Sequence, residues 1–441
     1  MPTILTSVKA SQRLDSRGKP TVQVEVETRD GKFRAIVPSG ASKGDYEAIE
    51  LRDGGEAYGG NGVEQAVRNV QEIIGPALSG RQFDLELGLK DVDYFMIKLD
   101  GSSDKSDLGA NAILGVSMAC ARACAAAKKI PLYDFLASEL QSRHKEYVVP
   151  VPFFNVLNGG VHSGNTMAFQ EFMIAPTGAA SITQGIQWAA EVYQALKSII
   201  IKKFGKAAIG IGDEGGFAPP ITRPSEALDL IMAAIEAAGH EGRFRIGIDP
   251  ASSEFYRDGD YDLGFKSDTP QRYTSTELAD LYRSLVDKYP IVLLEDPFAQ
   301  DDWDSWKSFH IISKLANIEL VGDDLLATNI RRIEMAAKAD ACDSLLLKIN
   351  QIGTISEAIA AAERAYELGW SVFVSHRSGE TTDDFIADLT VAIGCGHLKS
   401  GAPCRGERVA KYNRLMDIEE ELEARNLGSS YAGESFRHAH S

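Results

Sequence analysis

Residues 291–351 read IVLLEDPFAQDDWDSWKSFHIISKLANIELVGDDLLATNIRRIEMAAKADACDSLLLKINQ, and three short apolar runs within them each lead into charged or polar residues: IVLLEDP (291–297), IELVGDD (318–324) and LLLKINQ (345–351). Apolar runs this short, without polar alternation, read as strands buried on both faces. An amphipathic helical pattern, Asn329 to Ala337, separates the second run from the third. Strand, helix and strand in that order imply a right-handed crossover onto a parallel sheet. Outward from this core the unit recurs. AIGIGDEGG (208–216) and RIGIDP (245–250) precede it, SVFVSHRS (371–378) and HLKSG (397–401) follow, and helical patterns span Ser225–Ala238, Thr276–Tyr289 and Thr354–Leu368. Repetition of this kind over residues 143–441 predicts a closed (β/α)8 barrel rather than an open doubly wound sheet. No GxGxxG opens a helix after a strand, so a dinucleotide fold has no fingerprint.

The first third has a different rhythm. TVQVEVET (21–28), RDGK (29–32) and FRAIV (33–37) predict two antiparallel strands around an Asp-Gly turn. Helical spacing follows at Val63–Ile74 and in the Ala-rich stretch Asn111–Lys129, which Pro131 closes. Residues 1–142 are therefore expected to form a small α+β capping domain, with the proline-punctuated segment Val148–Pro152 as the boundary region.

Of the 441 residues, 63 are acidic and 46 basic, a formal charge of −17. That balance excludes the basic faces that nucleic acid and anionic membranes attract, and leaves a divalent cation as one use for the surplus acid. The five cysteines form no CxxC pair, the first residues Met1–Ser16 carry Lys9 and Arg13 without an apolar core, and no membrane-length apolar stretch is evident. A cytoplasmic protein with reduced cysteines is expected.

Barrel enzymes gather their chemistry at the C-terminal ends of the strands. There the runs present Glu214, Asp249, Glu295 and Asp323, then Lys348, His376 with Arg377, and Lys399: carboxylates in the first half, cations in the second. Asp249, Glu295 and Asp323 are hard oxygen ligands that suit Mg²⁺, whereas the His–Cys clusters of zinc sites are missing. Lys348, within an apolar strand and near other cations, is expected to have a lowered pKa and to act as a base. Glu214, among glycines across the ring, is expected to stay protonated and act as the acid. Arg377 and Ser378 in SHRSGET (375–381) suit a phosphate, and Lys399 a second anionic group. Two Gly/Ser-rich loops, PSGASKG (38–44) and NGGVHSGN (158–165), are candidate lids, the second presenting His162 ahead of Gln170 and Glu171.

Taken together, DSRGKPTV, LGANAILGVS, NVLNGG, QEFMIAPTGA, GDEGGFAP, EDPFAQDDW, GDDLLATN, LLLKINQIGT, SHRSGETTDD and KSGAPCRGER closely resemble the enolase family over almost the whole chain. The resemblance implies a barrel whose first strands depart from the regular pattern, and a reversible Mg²⁺-dependent dehydration of 2-phospho-D-glycerate to phosphoenolpyruvate. It implies two Mg²⁺ per site, the first on Asp249, Glu295 and Asp323 and the second on Ser42. Lys348 would take the C2 proton, and Glu214, supported by Glu171, would protonate the departing hydroxyl. His162, Gln170, Ser375, His376, Arg377, Ser378 and Lys399 would line the substrate. Two other readings are an enolase-like enzyme acting on a related phosphorylated or phosphonate hydroxy acid, and a non-catalytic binding protein that has kept the fold.

Departures from the family pattern concern the first loop, where Lys43 replaces the usual threonine, and the dimer. The arginine–glutamate pairs that typically bridge family subunits are replaced by Ser11, Gln23 and Asp417, with Glu407 retained. A homodimer weaker than the family norm is expected.

Overall fold

Alternation of apolar and polar residues builds the N-terminal sheet. In the computed structural model, which describes residues 3–40, 45–81, 83–141 and 146–440, strands β1 (Ser7–Leu14), β2 (Pro20–Thr28) and β3 (Gly31–Ile36) form an antiparallel meander. Val22, Val24 and Val26 project from one face of β2 and are fully buried. The helix Ala110–Lys128 packs against them, and it approaches so closely that a Cβ on Gly115 would stand 2.6 Å from Val24 Cγ2. This helix is apolar and long enough to cross a bilayer, yet it is largely buried in the protein. β1 escaped the sequence reading because its mixed residues SVKASQRL show no clean alternation. The expected lid residues 41–44 and the domain limit at residue 142 lie outside the described residues.

The barrel consists of β4 (Val151–Asn158), β5 (Glu171–Ala175), β6 (Arg245–Asp249), β7 (Ile291–Glu295), β8 (Glu319–Gly322), β9 (Ser344–Leu347), β10 (Ser371–Ser375) and β11 (His397–Lys399), each hydrogen-bonded to its sequence neighbour and closed by β11 against β4. Phe153, Met173, Leu293, Val321, Leu346 and Phe373 cluster within it.

Three features go beyond the sequence reading. The proline-punctuated segment at the expected boundary is largely strand: Tyr147–Val149 pairs with Ser429–Tyr431, and β4 starts at Val151. The prolines stand at or near the strand starts, and the buried apolar run beyond them decides the conformation. Second, β5 runs antiparallel to both neighbours, so the barrel is not wholly parallel. Third, AIGIGDEGG is not a barrel strand but a loop between the helices Ile182–Phe204 and Pro224–Ala237, held by isolated bridges of Phe217 to Leu157 and Ile211. Four glycines weaken it as a strand. They also let it lie on the end of β4, where a Cβ on Gly212 would meet His162 O at 2.6 Å and one on Gly216 would meet Asn158 Oδ1 at 2.5 Å.

Candidate active site

The reversal of β5 places its first residue, Glu171, opposite Asp249, the last residue of β6. Glu295 and Lys399 end their strands likewise, while Asp323 and Lys348 stand one residue beyond β8 and β9. A single cavity at this end is lined by His162, Gln170, Glu171, Glu214, Asp249, Asp323, Lys348, Ser375, His376, Arg377, Ser378 and Lys399. Glu295 lies against Lys399 and is fully buried. The fold thus brings together every expected site residue except Ser42, which lies outside the described residues.

Charge is unevenly compensated here. Lys399 Nζ is 2.7 Å from Glu295, 3.3 Å from Glu171 and 3.6 Å from Asp249. Burial opposes its charge, but these carboxylates outweigh burial and hold the ammonium well above its usual pKa. Burial and the neighbouring Glu295 push Asp249 well above the ordinary carboxylate range, and burial raises Glu295 as well. Lys348 is ion-paired to Asp323, whose other oxygen accepts from Gln351 at 2.9 Å. This corrects the expectation for Lys348. Burial, Arg377 and Lys399 push its pKa down, but Asp323 prevails and holds it above the usual value.

The acid side also differs from expectation. Burial and the facing Glu214 push the Glu171 carboxyl up to about 8. Burial pushes Glu214 upward too, but His376, His162 and Arg408 outweigh it and hold this carboxyl well below the usual range. The two shifts run opposite to the sequence expectation, which put the proton on Glu214. Glu214 Oε1 is 3.3 Å from His162 Nδ1, and Oε2 is 3.3 Å from His376 Nε2 and accepts from Asn155 Nδ2 at 2.9 Å. Burial lowers both imidazoles, His162 below its usual value and His376 to about 4.

Arg377 and Ser378 lie beside Arg17, which contacts Ser378 Oγ at 3.3 Å and the Gly40 carbonyl at 3.1 Å. The Arg377 guanidinium meets Glu47 at 3.1 Å and Asn350 at 3.1 Å. Sequence reasoning assigned no role to Arg17, Glu47, Asn155, Asp296 or Arg408. Asp296 accepts from the backbone N–H groups of Asp323 at 2.8 Å and Asp324 at 2.7 Å, fixing the turn that presents Asp323. Its only sequence signal is the acidic pair with Glu295.

The donor set suits a hard dication. Buried carboxylates exceed the ammonium groups that face them. Asp296, Asp323 and Asp324 bring ligand atoms within 4.8 Å of one another, as do His162, Glu171 and Glu214. Among the described residues Asp249, Glu295 and Asp323 are not gathered that closely; Lys399 stands against Glu295 and Lys348 against Asp323.

The family model for the enolase C-terminal TIM barrel domain matches residues 146–440, and that for the enolase N-terminal domain matches residues 5–136. The chain belongs to the enolase family. An enolase barrel with its N-terminal α+β domain accounts for the antiparallel β5, which regular (β/α) alternation does not produce. The acidic clusters at the strand ends accord with the magnesium dependence of this lyase family.

Proposed function

We propose that the protein catalyses the reversible dehydration of 2-phospho-D-glycerate to phosphoenolpyruvate. The observation that carries this reading is the placement of one amine, Lys348, and one carboxyl pair, Glu171 with Glu214, in the same cavity as the cations Lys399 and Arg377. Arg377 and Ser378 would bind the phosphate and Lys399 the carboxylate, fixing C2 and C3 between base and acid. Lys348, once deprotonated, takes the C2 proton. The C3–O bond then breaks, its electrons being replaced at C3 by those of the former C2–H bond. The hydroxyl leaves as water with a proton from the Glu171–Glu214 pair, and C2=C3 remains. Asp249, Glu295 and Asp323 would hold Mg²⁺, which when bound supplies positive charge to stabilise the substrate carboxylate as negative charge builds on it.

Base action requires Asp323 to release the Lys348 ammonium, after which Arg377 and Lys399 favour the neutral amine. The test is ultraviolet absorbance of the enol product from 2-phosphoglycerate with MgCl₂. Turnover that disappears in EDTA and in Lys348→Ala supports the proposal. Absence of turnover with Mg²⁺, or faster turnover of a phosphonate hydroxy acid, overturns it.

A further inference from the structure

Arg408, on the helix Gly406–Ala424, has no exposed surface. Its guanidinium is directed at the strand ends. Nη1 donates to His376 Nδ1 at 2.6 Å and to the Arg377 carbonyl at 2.6 Å, while Nη2 donates to the carbonyls of Ser378 at 2.7 Å and Asp213 at 3.0 Å. Its Nε lies 3.4 Å from Glu407. A guanidinium stays charged and carries only donors. The nitrogen it meets on His376 must therefore be an acceptor, and a neutral imidazole with a lone pair on Nδ1 keeps its proton on Nε2. That nitrogen is the one 3.3 Å from Glu214 Oε2.

We propose that Arg408 is a positioning residue that fixes His376 as the neutral Nε2–H tautomer, so that the imidazole presents a donor to Glu214. The alternative Nδ1–H tautomer sets two N–H groups against each other and turns a lone pair toward a carboxylate. The imidazolium sets a second cation against the guanidinium. Glu214, Arg408 and Glu380 are the charged groups that act most strongly on this ring, and burial works with Arg408 against its charging. One consequence concerns the acid. With Asn155 donating to Oε2 and the proposed Nε2–H of His376 3.3 Å from the same oxygen, a proton taken up by Glu214 is directed to Oε1, on the side of His162. This consequence rests on the proposed role of Glu214 as proton donor; the tautomer itself does not.

The test is a histidine ¹⁵N correlation spectrum of the full-length protein at pH 7. His376 is one of eight histidines, and it is assigned by difference against His376→Asn. The expected spectrum has a protonated Nε2 and an unprotonated Nδ1. Arg408→Lys, whose ammonium also only donates, should keep that pattern, and folded Arg408→Met should lose it to a tautomer mixture. A wild-type His376 that is Nδ1–H or cationic overturns the proposal, as does an unchanged tautomer in folded Arg408→Met. If Arg408→Met does not fold, the wild-type and Arg408→Lys spectra decide. Nε2–H together with absent dehydratase activity would overturn the functional reading alone.

Discussion

Lys399 Nζ lies 2.7 Å from Glu295 Oε2, joining the last residue of the last barrel strand to the last residue of β7. The ammonium is the countercharge for carboxylates from three strands, and removing one partner of a buried pair leaves an uncompensated charge costing about 3–5 kcal/mol. Lys399→Met is therefore expected to lower stability by about that amount in EDTA. Mg²⁺ should raise its melting temperature more than that of the wild type. Calorimetry in both conditions checks this, and equal Mg²⁺ effects would count against the shared carboxylate site.

Lys348 and Glu214 approach the cavity from different elements, so their losses should look alike in rate. Lys348→Ala and Glu214→Gln are each expected to reduce kcat by about 10²–10⁴-fold, the range for a positioned acid or base. KM should change far less. Steady-state assays separate the two, and a purely KM effect would remove these residues from proton transfer.

At the opposite end of the barrel, the first residues of β8 and β11 form a buried pair, His397 Nε2 to Glu319 at 3.1 Å, with His397 stacked on Phe373 at 4.5 Å. Burial lowers the His397 pKa, but Glu319 outweighs burial and raises it from 6.5 to about 9. The folded state thus binds more protons than the unfolded state between these values, so this stabilisation is full below pH 6.5 and lost as pH rises through about 9. Denaturant midpoints should fall across that window in the wild type, and Glu319→Gln should flatten the fall. An unchanged slope in the variant would refute the assignment.

The dimer expectation also has a structural setting. Ser11 and Gln23 face each other across the β1–β2 ladder, and Glu407 is engaged within the chain by Arg405 at 2.6 Å. Exposed ion pairs contribute only about 0–1 kcal/mol each, so apolar burial would have to hold the subunits. Sedimentation should show dissociation on dilution; an intact dimer at nanomolar protein contradicts it.

Legibility in the sequence followed the range of the interactions involved. Asp249, Glu295, Asp323, Lys348 and Lys399 were readable because each terminates or follows an apolar run, and burial of that run alone puts the next polar group at the barrel rim. Glu214 was read as a strand end and instead sits in a loop, its cavity position set by glycines packing on β4. Arg408 was silent because its helix is distant in sequence from His376.

The sequence by itself determined the barrel, the N-terminal sheet and helix, and the set of polar groups available to the site, since hydrophobic period and turn chemistry act between near neighbours in the chain. Tertiary structure decided the direction of β5, the pairing of Lys348 with Asp323 and the opposite pKa shifts of Glu171 and Glu214. Those outcomes depend on distances through a buried, weakly screened interior, and such distances exist only once the strand ends have been brought together.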